Sequence, residues 1–249
     1  MIQPAWLQID NAASALGRVT RQVVDNLGAA IISGQYRADE LLPVEAELCA
    51  KFGASRSTLR EAVKVLNAKG LLTTRRRRGT AITPSSHWNL FDPDVLEWIL
   101  RSKFSLPLLI EFTDVRLGIE PRAAALAATA ATNDELANIQ AGFDRMVAAI
   151  AGDDDALEAD LAFHLAILEA SGNRFYRRLK PLVTAALHFS IRYTDSATRT
   201  EDVKLKRHRR VLKAILGRDA SAAADAAEAL LLQARGVLEQ GLARPMPGS

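Results

Sequence analysis

The chain has 249 residues, 49% hydrophobic and 24% charged, with 14 glycines and 9 prolines, a profile that fits a helix-rich globular protein and excludes collagen-like or low-complexity chains. A single cysteine, Cys49, excludes an intramolecular disulfide and any Cys-x-x-Cys pair; with neither a leader-like N-terminus nor an apolar run of about 18 residues, a cytoplasmic location is expected. The net charge of +3 is uneven: residues 1–86 hold twelve Lys and Arg against seven Asp and Glu, the remainder twenty against twenty-two, so an anionic partner is expected at the N-terminal third.

Val19, Val23, Leu27 and Ile31 recur every four residues and predict a helix from about Val19 to Ser33. Pro43 opens a second, Val44 to Phe52, with Val44, Leu48, Cys49 and Phe52 on one face. Gly53-Ala54 makes a turn, and Ser55 is placed to cap a third helix, Arg56 to Lys69, which Gly70 ends. The β-branched runs "LLTT" and "TAIT", separated by Arg75 to Gly79, read as a hairpin. Three helices followed by a hairpin make a winged helix-turn-helix. The segment "HWNLFDPDVLEWIL" reads as a connection that becomes a helix at Pro93; His87 belongs to it.

Alanine- and leucine-rich helical patterns follow: Leu106 to Ala131 with Pro121 inside, Asn133 to Ala151, Ala156 to Ala170, Arg174 to about Tyr193, Arg199 to Leu216, and Ala220 to about Leu242. Their short connections predict antiparallel packing. The expected fold is mainly α: an N-terminal winged helix-turn-helix joined to a C-terminal all-α antiparallel bundle, divided as 1–86, a linker and connecting helix over 87–103, and 104–249.

On the third helix Leu59, Ala62, Val63 and Leu66 form an apolar stripe, while Arg56, Ser57, Arg60 and Lys64 share another face. An apolar face anchors such a helix and leaves donors outward, where an arginine fork can hold phosphate or the O6/N7 edge of guanine. At the hairpin tip Arg75, Arg76, Arg77 and Arg78 precede Gly79, which lets the backbone approach phosphate closely. A run of arginines alone is usually a solvated loop; beside a basic-faced helix it points to DNA. Helix-turn-helix operators with two half-sites further imply a homodimer.

In the bundle, Asp160 and His164 are four residues apart on one helix, a spacing that alone is more often a surface pair or a satisfied core histidine. With His208 from another helix they would supply three ligands to a divalent metal. Arg116 stands four residues before Glu120, so an intrahelical ion pair is its plain alternative to a ligand role.

The run "LLPVEAELCAKFGASRSTLREAVKVLNAKGLLTTRRRRGTAI" resembles the DNA-binding domain of GntR-type regulators over its whole length. The resemblance implies operator contacts from Ser55, Arg56, Ser57 and Arg60, with Arg78 and Gly79 in the wing; Lys64, Arg77 and Thr80 adjoin them. Where members of the fatty-acid-regulator subgroup often carry arginine, this chain has Ala46. The blocks "TDVRLGIEPRAAALAA", "DLAFHLAILEASGN" and "RHRRVLKAI" are similar to the helical FCD ligand-binding domain of the FadR-like subgroup. That likeness implies a metal, commonly zinc or nickel, on Asp160, His164 and His208, and an effector carboxylate on Arg116. His188, within "AALHFSI", is a further pocket candidate with a core role as its alternative. Many members add a histidine on the last helix; here Leu230 to Ala234 has none, though Gln233 is close. The segment from His87 to Leu100 resembles that of the galactonate-operon repressors, which makes a sugar acid the leading effector.

The expected function is therefore a DNA-binding transcriptional repressor of a sugar-acid catabolic operon, released from operator DNA by a small carboxylate. An effector-free architectural DNA-binding protein is the alternative. A metal-dependent hydrolase on Asp160, His164 and His208 is the remote one, since Glu158 and Glu169 lie off the Asp160/His164 face and no nucleophile motif occurs.

Overall fold

A computed structural model describes residues 17–75, 79–102, 105–197 and 201–243. The chain divides into two compact units, Met1–Phe104 and Ser105–Ser249.

In the first unit, α1 (Arg18–Ile32) buries Val23, Val24, Leu27 and Ile31. Val19, expected on the same stripe, is exposed, because it lies in the opening turn at the edge of the core. In α2 (Glu45–Phe52) Leu48 is the buried anchor; Val44, expected as the first helical residue, is its exposed and extended N-cap. Gly53 turns the chain with φ 59°, a left-handed conformation that suits glycine. The helix α3 (Arg56–Ala68) begins where the Ser55 hydroxyl accepts the Thr58 N–H at 3.2 Å, and its buried residues are Leu59, Ala62 and Leu66.

Strands β1 (Leu72–Arg75) and β2 (Gly79–Ile82) pair antiparallel, Leu72 opposite Ile82 and Arg75 opposite Gly79. A segment with no strand signal in the sequence lines the other edge of β2. Leu41 bridges Ala81, the Leu42 N–H donates to the Thr80 carbonyl at 2.8 Å, and the Ile82 N–H donates to the Glu40 carbonyl at 2.9 Å. These bonds occupy backbone groups that a free edge would leave open.

The helix α4 (Pro93–Ser102) adds Val95 and Trp98 to the core that α1 and α3 share. Gly28 makes this possible: a Cβ there would meet the Trp98 ring at 2.4–2.8 Å. The Lys69 ammonium, at the end of α3, donates at 2.7 Å to both Asp92 and Asp94, and Arg21 of α1 donates to Asp94 at 2.6 Å. Burial opposes ionisation of Asp94, but Lys69 and Arg21 hold its carboxyl below the usual range.

In the second unit, α5 (Leu106–Ala130) runs through Pro121 and lies along α11 (Ala220–Ala243). Ala123, Ala124, Ala127 and Ala128 of α5 and Ala223 and Ala227 of α11 are buried, and such small side chains let helices approach closely. The helices α6 (Asn133–Ala151) and α7 (Ala156–Ala170) are joined by a short turn and pack side by side, hence antiparallel. They touch closely at Gly142, where a Cβ would stand 2.9 Å from the Phe163 backbone.

The single helix expected from Arg174 to Tyr193 is two: α8 (Arg174–Arg178) and α9 (Lys180–Ala197), broken at Leu179. Pro181 has no N–H for the Arg177 carbonyl, so a new helix starts with proline in its first turn, where a missing donor costs nothing. The helix α10 (Glu201–Leu216) packs on α11 and α6; its expected first residue, Arg199, lies outside the described residues. Phe163, Ile139, Leu168 and Ile215 are among the fully buried side chains of this unit. Among the described residues no helix is long and apolar enough to cross a membrane.

Candidate functional site

Arg56, Ser57, Arg60 and Lys64 are all exposed on α3, opposite its buried stripe. Their contacts are light. Arg60 reaches Glu45 of α2 at 3.2 Å, and Lys64 reaches Glu61 one turn back at 2.7 Å. Exposed pairs of this kind are worth about 0–1 kcal/mol, so both cations can leave them for a stronger anion. Ser55 and Ser57 share a hydroxyl contact of 2.8 Å at the helix N-terminus, where N–H groups and the helix dipole favour an anion.

Gly79 opens β2 with φ 89°, which allows the hairpin to close. Thr80 meets Thr74 across the strands at 3.1 Å. Arg77 and Arg78 lie outside the described residues.

In the second unit, Asp160 and His164 come from α7 and His208 from α10, all three buried. One ligand atom from each lies within 4.8 Å of the others. Nε2 of His164 is 3.2 Å and Nε2 of His208 is 3.3 Å from Oδ1 of Asp160. The outer ring nitrogens explain why these atoms converge. Nδ1 of His208 lies 2.8 Å from the Lys204 carbonyl, which can only accept, so Nδ1 carries a hydrogen and, in the neutral ring, Nε2 keeps its lone pair. Nδ1 of His164 likewise donates to Glu120 at 2.9 Å.

Asp160 Oδ1 and His208 Nε2 are buried without a hydrogen-bond partner. Two orphaned acceptors facing each other are costly unless a cation or proton lies between them, and an Asp–His–His donor set is of the kind that holds a divalent transition metal. The residues therefore fit a metal.

Burial opposes ionisation of Glu120, yet Arg116 and His164 hold its carboxyl down at about 2. Burial opposes ionisation of Asp160 too, but His208, His164 and Lys204 keep it well below the usual carboxylate range. For His164 burial works against protonation and is outweighed by Glu120 and Asp160, so its affinity for a proton rises. The site is thus built to attract positive charge.

Arg116 forms the intrahelical ion pair that was its plain alternative, and its side chain also borders a cavity. It lies on the wall of the cavity over the three ligands, and it donates to Glu120 at 2.5 and 3.2 Å. The cavity leaves about 90 Å³ to water centres, room for several waters or a small acid. His188 is half-buried on α9 with its ring 5.6 Å from Phe189, and it is not among the wall residues. The wall takes Leu187, Ser190 and Ile191 from that helix; His188, about 100° around from Leu187, faces another way.

Lys204 and Arg207, which the sequence reading did not place, and Glu120 and Gln233, which it named without these contacts, all border the site. Glu120 joins Arg116 to His164, Lys204 donates to Asp160 at 2.7 Å, and Arg207 and Gln233 line the cavity. Lys204 and Arg207 stand one turn before His208 and beside it, a spacing that marks a shared face once His208 is recognised.

Residues 19–82 match the family model described as "Bacterial regulatory proteins, gntR family", and residues 111–233 match the FCD domain model. The chain is 33% identical over 211 residues to the galactonate operon transcriptional repressor of Escherichia coli, covering 84% of this chain and 91% of that protein. It is 34% identical over 211 residues to an uncharacterized HTH-type transcriptional regulator of the same organism, with coverages of 84% and 90%. The solved structure of Lar, which controls expression of the Listeria monocytogenes agr system, superposes with a TM-score of 0.59 at 18% identity, covering 90% of this chain and 98% of that one, a likeness of fold alone.

Proposed function

We propose a ligand-released repressor, from the premise that this chain belongs to the GntR family of bacterial regulatory proteins. It is a DNA-binding transcriptional regulator with an FCD domain, and it is not an enzyme.

Two recognition helices of a homodimer read an operator, with Arg56, Ser57, Arg60 and Lys64 toward the major groove and Ser55 at the N-terminus of α3. Arg77, Arg78, Gly79 and Thr80 of the wing hold phosphates. Asp160, His164 and His208 hold a divalent metal, zinc or else nickel, which supplies open coordination positions to the oxygens of a ligand. Arg116 orients the ligand from the cavity wall while Glu120 fixes the His164 ring. The effector is a small carboxylate, with a galactonate-like sugar acid favoured by the name of one relative. It acts by binding the DNA-free arrangement more tightly than the DNA-bound one, since equal affinity would shift nothing.

The observation that carries this reading is the pair of orphaned buried acceptors, Asp160 Oδ1 and His208 Nε2, at the floor of a cavity walled by arginine and lysine. A fluorescence-anisotropy titration on the DNA upstream of its own gene, with and without sugar acids, tests it. Release by galactonate at micromolar to millimolar concentration is expected; tight DNA binding that no acid disturbs would overturn the effector half.

A further inference from the structure

In the effector cavity proposed above, on which this inference rests, one described cationic side chain lacks a carboxylate partner among the described residues. Arg116 is matched by Glu120, and Lys204 is matched by Asp160. Arg207 is half-buried on the same wall, and no carboxylate among the described residues reaches it. Arg210, three residues on along the same helix, brings a further positive charge near it rather than a counter-charge.

Arg207 follows Lys204 by three residues and precedes His208 by one, so the cavity-facing side of α10 presents Lys204, Arg207 and His208 together. Among the described residues the surplus positive charge of the cavity is therefore at Arg207 before any cation occupies the Asp–His–His cluster, and a divalent cation adds to it. One carboxylate can satisfy one cation of this cavity. A molecule with two anionic groups can satisfy a second, and an arginine fork holds a second carboxylate in bidentate fashion.

We infer that Arg207 anchors a second anionic group of the effector, so that the cavity selects small polyhydroxy acids with two carboxylates over those with one. Arg207 is on this account the residue that sets specificity between the two classes. Arg116, already engaged by Glu120, serves orientation.

Isothermal titration of the full-length protein as purified, its metal content measured, compares galactarate, which has two carboxylates, with galactonate, which has one. Galactarate is expected to bind at least tenfold more tightly. Arg207→Gln should reduce that ratio to near one while leaving the galactonate affinity in place. Lys206→Gln, which removes an exposed cation from the same helix, should leave the ratio unchanged. Equal affinities in the parent protein overturn the inference, as does a ratio that survives Arg207→Gln or falls equally in Lys206→Gln. If galactonate binds and releases DNA but galactarate binds no better, only this inference falls. If neither acid binds, the sugar-acid reading of the cavity falls with it.

Discussion

The two units use charge in opposite ways. On α3 the outward side chains are exposed and held by single contacts such as Arg60–Glu45, whereas in the bundle Arg116, Glu120, His164, Asp160 and His208 form one buried chain of contacts that the half-buried Lys204 joins at Asp160. An exposed cation has water as an alternative partner, so removing it should cost recognition and little stability. A buried one has no alternative, so removing its partner should cost stability first.

Glu120→Gln should show the largest effect. It leaves the Arg116 guanidinium buried without its counter-charge, a change worth about 3–5 kcal/mol when a buried pair is broken. Urea unfolding of the full chain measures it, and a loss below about 1 kcal/mol would mean that the buried chain is no more coupled than the surface of α3. Gly142→Ala comes next. Its Cβ would press on the Phe163 backbone at 2.9 Å, and overpacking of this kind costs about 1–3 kcal/mol against the roughly 1 kcal/mol that alanine gains in a helix. Because Phe163 adjoins His164, bound metal should fall along with the melting temperature; normal metal content at a lowered Tm would separate the crossing of α6 and α7 from the site.

Arg60→Ala should leave unfolding unchanged and cost about 1–3 kcal/mol of operator affinity, concentrated at one base step. A uniform loss over all sequences would reassign it to phosphate. Neutralising Arg77 and Arg78 together should be the mildest change at low salt. Each lost phosphate contact should flatten the slope of log K against log salt by about 0.9, and an unaltered slope removes the wing from the interface.

The same contrast governs what the sequence discloses. Ser55, Gly53 and Gly70 are local signals, each tied to a cap or turn, so α3 could be bounded from neighbouring residues alone. The outward face of α3 follows from helical phase. Asp160 and His164 also follow from phase, but their convergence with His208 does not, since it depends on how α7 and α10 pack. Glu120 was visible only as the i+4 partner of Arg116; its second bond, to His164 on α7, belongs to tertiary structure. His188 was suggested by residue type and helix, and which side of α9 meets the cavity depends on packing that the sequence does not display. The edge that Leu41 adds to β2 escapes notice because it consists of backbone hydrogen bonds, to which side-chain pattern is nearly blind.

Trp98 over Gly28 has a consequence for how the first unit comes into being. Its core includes Val95 and Trp98, and its ion cluster includes Asp92 and Asp94, all of them beyond the wing. During synthesis the hairpin emerges complete while the groove along α1 still lacks its lid. A fragment ending at Ser86 would keep every proposed DNA contact yet leave Gly28 without the Trp98 ring over it. A fragment ending at Ser102 contains the whole of α4, and with it the ring that covers Gly28.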